Sequence, residues 1–402
     1  MSKVVLAFSG GLDTSYCVKY LSLEKGLEVH AAIVNTGGFS DAELAEIESR
    51  AYALGVKSFR AIDAVKEYYD QCIRYLIFGN ILKNDTYPLS VSAERVFQAV
   101  AIAEFAKEVD AEYIAHGSTG AGNDQVRFDL VFDTLIPGIK VLTPIRDQKL
   151  SREEEVAYLQ ANGVDFSWEK AQYSINKGLW GTSVGGKETL NSWDYLPESA
   201  YPTPLGTQEE SVITLEFAKG EPIGLDGVQY DHPVALIEAL EAKIGPYAAG
   251  RDIHVGDTII GIKGRVGFEA AAPLLIIKAH HLLEKHVLTK WQLYWKEQLA
   301  DWYGMLLHEG QFLDPVMRNI ETFMADTQDR VTGKVQVGLA PYRFQPLGIE
   351  SPYDLMSAKF GTYGEMNRAW SGEDVKGFTK ILGISSKIHR MVGESASKDS
   401  DA

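Results

Sequence analysis

Residues able to do chemistry gather in two short stretches of the chain. The first, AFSGGLDTS (Ala7 to Ser15), overlaps the end of the run VVLAF (Val4 to Phe8), which is short, β-branched and aromatic, and is bounded by Gly10 and Gly11. That pattern predicts a buried strand ending in a tight turn, with a helix beginning at Leu12. The first N–H groups of a helix have no partners inside it, and the helix dipole places positive potential behind them. Glycines let a ligand approach the backbone, and the hydroxyls of Ser9, Thr14 and Ser15 add donors. The combination reads as a phosphate cradle. It is not a Walker loop, because no Gly-Lys-Ser/Thr follows, and it lacks the GxGxxG of a dinucleotide turn. Asp13 stands where a carboxylate can orient the loop or a Mg²⁺ ion.

The second stretch, HGSTGAGNDQVRFD (His116 to Asp129), follows the strand candidate EYIAHG and sets a hydroxyl (Thr119), an amide (Asn123), a carboxylate (Asp124) and a guanidinium (Arg127) within nine residues. An arginine fork captures carboxylates and an aspartate accepts from ammonium groups, so the set suits amino-acid ligands.

The elements that must position these residues are legible from periodicity and punctuation. Ser40 with Glu43, and Ser151 with Glu154, form capping boxes ahead of DAELAEIESRAYAL and REEEVAYLQAN, which stop at Gly55 and Gly163. Strand candidates lie at EVHAAIVN (Glu28 to Asn35), KSFRAI (Lys57 to Ile62) and EYIAHG (Glu112 to Gly117), with helical stretches near Ala64 to Tyr75 and Ala93 to Lys107. Strands alternating with helices predict an α/β fold with a parallel, doubly wound nucleotide-binding sheet. Ligands bind such sheets at the carboxyl ends of the strands, which directs attention to the loops after Phe8, Asn35 and His116.

From about Ala171 the pattern changes. SVITLEFAKGEPIGLDG (Ser211 to Gly227) alternates around turn residues and predicts antiparallel strands, Leu274 to His308 is helical, and KVQVGL (Lys334 to Leu339) is again a strand. The expected division is an ATP-binding domain at 1–168, a second, α+β domain at 169–362, and a C-terminal helix and tail at 363–402. Val375, Phe378, Ile381 and Leu382 fall on one helix face, suited to docking on a neighbouring subunit or on the chain's own domain. The tail from Glu394 to Ala402 is expected to be disordered.

Composition narrows the function classes. The chain has 402 residues, 45% hydrophobic, enough for two or three domains. Acidic residues outnumber basic ones 55 to 39, for a formal charge of −16. No cluster of Lys or Arg is interleaved with aromatics, which argues against a nucleic-acid partner, since such binding rests on a basic footprint. No apolar run approaches the roughly 20 residues of a membrane helix, so no membrane partner is expected and the cytoplasm is the expected location. Cys17 and Cys72 form neither a CxxC pair nor a framework and are expected to be buried.

The motifs together resemble the argininosuccinate synthase family of PP-loop ATP pyrophosphatases, whose nucleotide domain is of the adenine nucleotide α-hydrolase type. The resemblance rests on AFSGGLDTS, YPLSVSAER (Tyr87 to Arg95), HGSTGAGNDQVRFD and YSINKGLWGTSV (Tyr173 to Val184), with weaker echoes at GKVQV (Gly333 to Val337) and ESPYDL (Glu350 to Leu355). It implies an ATP- and Mg²⁺-dependent ligase that adenylates the ureido oxygen of citrulline and then displaces AMP with the amine of aspartate. It implies ATP contacts at Ala7, Phe8, Ser9, Gly10, Gly11, Leu12, Asp13, Thr14, Ser15, Val34 and Gly117. Aspartate would fall to Thr119, Asn123 and Asp124, and citrulline to Tyr87, Ser92, Asn123, Arg127, Ser174 and Ser183. Asp13, Asp124 and Arg127 are the catalytic candidates. The C-terminal helix would knit a homotetramer.

The sequence also departs from that family's pattern. Relatives complete the citrulline pocket with a glutamate and a tyrosine twelve residues apart; here Gly256 and Phe268 stand at those places, and Val184, Gly185 and Gly186 follow Ser183 without an acid. A missing carboxylate would suit an Nα-acylated citrulline, which carries no ammonium. Alternatively, Asp257 or Glu269 next in sequence replaces it. Two other readings stay open: another PP-loop enzyme, tRNA-modifying or amide-forming, and a nucleotide-binding sensor without activity.

Overall fold

The first strand, β1 (Lys3–Ala7), is buried along Val4, Val5 and Leu6. Apolar side chains on both faces of a strand demand cover on both faces, so β1 sits at the centre of a parallel sheet. The computed structural model describes residues 1–402 except 121, 165, 167–171, 357–360, 362, 366–368 and 401–402, together with the side chains outside 397–400. Within it, β1 lies between β2 (Glu28–Asn35) and β4 (Tyr113–His116), with β3 (Ser58–Asp63) and β5 (Lys140–Leu142) outside them, in the order β3-β2-β1-β4-β5. All four pairings are parallel. The chain leaves β1 towards β2 and returns on the other side as β4, so the order reverses between β1 and β4. In an open α/β sheet a ligand crevice forms at that reversal. The loops after β1 and β4 flank it, with Ala7 directly opposite His116.

Local chemistry explains the helices. In α1 (Leu12–Leu23) the N-cap is Gly11, and α2 (Asp41–Leu54) opens with the expected Ser40–Glu43 capping box and ends at Gly55 in the left-handed region. The second expected box, Ser151 with Glu154, caps the helix Arg152–Ala161. The stretch predicted as one helix from Ala64 is a short α turn, a π segment at Tyr69–Ile73 and another α turn to Phe78. The helix expected from Ala93 begins earlier, spanning Ser90–Glu108.

Two antiparallel sheets follow. One has the order β10-β9-β8-β13-β14, with β10 (Val228–Gln229) and β14 (Arg343–Glu350) at its edges, and the other β11-β12-β7-β6. The expected strands at 211–227 become β8 (Ser211–Ala218) and β9 (Glu221–Leu225), and KVQVGL lies in β13 (Gly333–Ala340). The sheet that matters for the site comprises β6 (Ser174–Gly178), β7 (Gly181–Gly185), β11 (Arg251–Asp257) and β12 (Lys263–Glu269). The helical run predicted from Leu274 is two helices, Ala271–Val287 and Lys290–His308.

The chain divides into two compact units, Met1–Tyr353 and Asp354–Ala402, so both kinds of sheet share one unit. The domain boundary expected near 168 falls outside the described residues. In the second unit the helix Gly372–Leu382 carries the predicted apolar spacing and is capped by Ser371 with Asp374. The tail expected to be disordered from Glu394 instead continues the helix Ile384–Ser400, because nothing in ISSKIHRMVGESASKDS breaks a helix except the single tolerated Gly393. Cys17 and Cys72 are buried free thiols.

Candidate active site

The loop after β1 is shaped by its own hydroxyls. Gly10 has φ +75°, and an added Cβ there would meet Ile47 Cγ1 at 3.1 Å. Gly11 then starts α1 in extended conformation. Ser15 Oγ donates to the Gly11 carbonyl at 2.8 Å, Thr14 Oγ1 lies 3.2 Å from Ser9 Oγ, and the Ser9 N–H points at Thr14 Oγ1. Arg50 Nη1 donates to the Gly10 carbonyl at 2.7 Å, fixing the loop from the second helix. The N–H groups of the first turn of α1 are left facing the crevice. The side chains of Phe8, Leu12 and Val34 are buried. Gly117 closes the other side: a Cβ there would meet Thr14 Cγ2 at 3.1 Å and Asp13 Cβ at 3.3 Å.

Asp13 lies beside a second carboxyl, Glu155, on the helix Arg152–Ala161. Glu155 is buried, and its Oε2 has no hydrogen-bond partner. Burial and then the neighbouring Asp13 charge push its carboxyl up to about 8. No cluster of three or more metal-ligating side chains exists among the described residues. One or two carboxylates fit Mg²⁺, which keeps several waters and takes its remaining ligands from phosphates.

A chain of charged groups continues from the loop after β4. Asp124 begins the helix Asp124–Leu135 and accepts from Arg95 Nε at 3.1 Å and from Arg127 Nη1 at 3.0 Å. Desolvation works against its charge, but the two guanidinium groups outweigh it and hold the carboxyl below the usual range. Arg127 is buried and also binds the carbonyl of His308 through Nε (3.0 Å) and Nη2 (2.9 Å), and Ser92 Oγ through Nη2 (3.1 Å). Four of its five N–H groups are thereby engaged. Arg95 reaches Glu94, Gln98 and Asn176. Burial pushes Glu94 up to about 7, against the pull of Arg95. Asn123 Oδ1 accepts from the Ile259 N–H at 2.8 Å, which ties the loop to the β11–β12 turn and leaves its NH₂ for a ligand.

The opposite wall is one face of the four-stranded sheet. Asn176 stands across from Ser183, Ser183 across from Phe268, and Phe268 across from Asp252. Side chains alternate along strands, so Ser174, Asn176, Ser183, Phe268, His254 and Gly256 share a face. Tyr87 packs on it, with ring centroids 5.0 Å from His254 and 5.4 Å from Phe268, and its hydroxyl accepts from Ser90 Oγ and the Val91 N–H.

The predicted residues therefore fall into two adjoining groups. Residues 7–15 and Gly117 meet at the ends of β1 and β4, while Val34 lies in β2 on the far side of β1. Asn123, Asp124, Arg127 and Ser92 form one bonded network, and Tyr87 and Ser183 join the sheet face beside it. Ser174 is exposed at the start of β6 opposite Gly185, and Thr119 is exposed in its loop. Sequence reasoning assigned no role to Arg95, Glu94, Asn176, His254 or His308. Arg95 had a signal, since it lies three residues after Ser92 on the same helix face. His308 had none: it meets Ser92 across 216 positions of sequence.

The chain matches two family descriptions, "Arginosuccinate synthase N-terminal HUP domain" over residues 3–165 and "Arginosuccinate synthase C-terminal domain" over residues 173–389. It is 39% identical over 393 residues to the argininosuccinate synthase of Dictyoglomus turgidum, covering 97% of this chain and 98% of that one. It is 36% identical over 390 residues to that of Methanocaldococcus jannaschii, covering 96% and 98%. Against that of Xanthomonas campestris pv. campestris the identity is 36% over 403 residues, covering 97% and 98%.

Proposed function

Because the chain belongs to the argininosuccinate synthase family, and so is an ATP-dependent ligase of citrulline and aspartate, we propose how its residues divide that reaction. The observation that carries the reading is that the phosphate cradle and the loop leading to the Asp124–Arg127 network follow neighbouring strands at one topological reversal, where Gly117 leaves no room for a Cβ beside Thr14 and Asp13.

ATP lies with its phosphates on the first-turn N–H groups of α1 and the hydroxyls of Ser9, Thr14 and Ser15. Phe8, Val34 and Gly117 border the nucleoside. Asp13, with Glu155 beside it, would hold Mg²⁺, which neutralises phosphate charge when bound. The ureido oxygen of citrulline attacks the α-phosphorus and pyrophosphate leaves, giving citrullyl-AMP. The α-amine of aspartate, once deprotonated, attacks the ureido carbon and AMP leaves with the C–O bonding electrons. Both steps need positioning and charge stabilisation more than a strong base. Asp124 is held ionised by two arginines, which suits anchoring the aspartate ammonium rather than taking a proton. Asn123 presents its free NH₂ to a substrate carboxylate. Arg127, with one N–H remaining, contributes its charge and holds Ser92 and the end of the helix Lys290–His308 in place.

No described helix is long and apolar enough to cross a membrane, and we place the reaction in the cytoplasm, where ATP and both amino acids meet. The apolar spacing of the helix Gly372–Leu382 supports assembly into a homotetramer.

Citrulline labelled with ¹⁸O in the ureido group tests the order of events. The expected result is release of one pyrophosphate per turnover and transfer of the label to AMP. Label retained in the amino-acid product, or release of orthophosphate in place of pyrophosphate, would refute adenylation.

A further inference from the structure

The two ends of citrulline make opposite demands. Its ureido group must reach the α-phosphate at the crevice, which sends its α-carbon end towards the sheet face of Ser183, Phe268, His254 and Gly256. A free α-amino acid brings one anion and one cation to that wall, so the wall needs donors for the carboxylate and an unengaged acceptor for the ammonium.

The structure supplies the first; for the second, Asp252 is exposed with its Oδ1 on the Ile253 N–H, and Glu188 Oε2 lies beyond the end of β7. Gly256 does not open a void: an added Cβ would lie 2.7 Å from His254 Nε2 and 3.2 Å from Asn84 Nδ2, so nitrogen groups occupy the space a longer side chain would take. The two nearby acids do not replace it. Asp257 and Glu269 sit one residue beyond Gly256 and Phe268, and a one-residue step turns a strand side chain to the other face. Asp257 is exposed and paired with Lys263 at 2.6 Å, while Glu269 accepts from Thr203 Oγ1 at 2.7 Å. Asp124, held by Arg95 and Arg127, is taken by the aspartate ammonium in the reading above, and Asn176 Oδ1 accepts from Arg95.

The donors are specific. Ser92 Oγ accepts from Arg127, so its own proton goes to His308 Nδ1, 3.1 Å away, and Arg127 Nη2 also faces that nitrogen at 3.4 Å. His308 Nδ1 is therefore the acceptor nitrogen, and Nε2 carries the hydrogen. Nε2 is buried without a partner; the nearby Asp257 carbonyl bears on the ring but does not meet it in hydrogen-bond geometry. His254 Nδ1 is buried and unpartnered as well, and His308 and His254 are each only 7% exposed. The charge of half-buried Lys83 bears on both imidazoles. The unmet His308 Nε2–H together with the lysine charge calls for an extra oxygen on the ligand, not for an ammonium.

Resting on the ligase reading above, we infer that the preferred acceptor is a citrulline acylated on its α-nitrogen, whose acyl oxygen accepts from His308 Nε2–H beside His254 and Lys83. Acylation removes the positive charge and puts a carbonyl oxygen in its place. A dicarboxylic acyl group would add a carboxylate for Lys83.

The test is pyrophosphate release by the full chain with MgATP and aspartate, comparing citrulline, N-acetylcitrulline and N-succinylcitrulline. The expected kcat/KM for at least one acylated acceptor exceeds that for citrulline by on the order of a hundredfold, the scale of a binding group left unmatched. Lys83→Glu, a change at the half-buried rim, should shrink that ratio at least about tenfold by raising KM for the acylated acceptor. A preference for free citrulline overturns the inference; if Glu188→Gln then abolishes it, Glu188, whose Oε2 is buried and unpartnered beyond the end of β7, is the ammonium's partner. An unchanged ratio in Lys83→Glu also counts against the inference. Pyrophosphate release with none of the three acceptors would instead defeat the ligase reading itself.

Discussion

The loop after β1, proposed for the nucleotide, and the wall proposed for the acceptor are built in different ways. The loop is nine consecutive residues whose donors are mostly backbone, and its shape follows from two glycines, three hydroxyls and a helix start. The wall is made of residues from the helix Ser90–Glu108, the helix Asp124–Leu135, the end of the helix Lys290–His308 and the four strands β6, β7, β11 and β12. Its central group, Arg127, holds the carbonyl of a residue 181 positions away. A site built from backbone resists side-chain change, whereas one built from a buried charged network fails when a single member goes.

That contrast predicts its own order of effects. Arg127→Leu should be the most damaging, costing about 3–5 kcal/mol of stability because Asp124 and the His308 carbonyl lose a buried partner. Urea unfolding checks this, and pyrophosphate release should fall with it. Arg127→Lys should rescue stability only in part, since an ammonium cannot reproduce the fork. If Arg127→Leu unfolds like wild type, the wall is not the single network described.

Acid should be the next largest strain on the wall. Burial, then the Arg127 charge, lower His308 from 6.5 to about 4. Between those values the unfolded imidazole binds a proton that the folded one refuses. Its contribution is therefore complete above about pH 6.5 and lost as pH falls towards 4, a change of up to about 3 kcal/mol. His308→Asn should lose less stability than wild type over that window in parallel urea titrations. Glu94, raised to about 7, works in the opposite sense, and the comparison of variant with wild type cancels it.

Changes in the nucleotide loop should be milder and confined to ATP. Gly10→Ala forces a side chain into the left-handed region, costing about 1–2 kcal/mol, and should raise KM for ATP while leaving KM for the acceptor unchanged. Thr14→Val should have the smallest effect. It removes one hydroxyl from a cradle made of N–H groups, a loss of about 1 kcal/mol, seen as a several-fold rise in KM for ATP. An equal rise in the acceptor KM would mean that the two regions are not separable.

Legibility followed the same division. The strand from Glu28 to Asn35, both capping boxes near the sheet and the turn at Gly10 are local features, and each stands in the structure where its residues predicted. The short strands β6, β7, β11 and β12 were harder to foresee. Their sequences, such as SINKG and GTSVG, have little apolar alternation, because one face is turned to the polar site. Which of Gly256, Asp257, Phe268 or Glu269 faces the substrate was undecidable from the letters, since neighbours on a strand point oppositely and only the pairing register selects the face.

By itself, the sequence determined the class of sheet, the phosphate cradle and the kind of ligand, because these depend on contacts between residues a few positions apart. Only the tertiary structure decided that Arg127 engages four of its five N–H groups inside the protein, that His308 Nε2 and His254 Nδ1 stand buried without partners, and that Asp257 and Glu269 turn to the other face. Those outcomes depend on burial and register between distant segments, and no local preference encodes either.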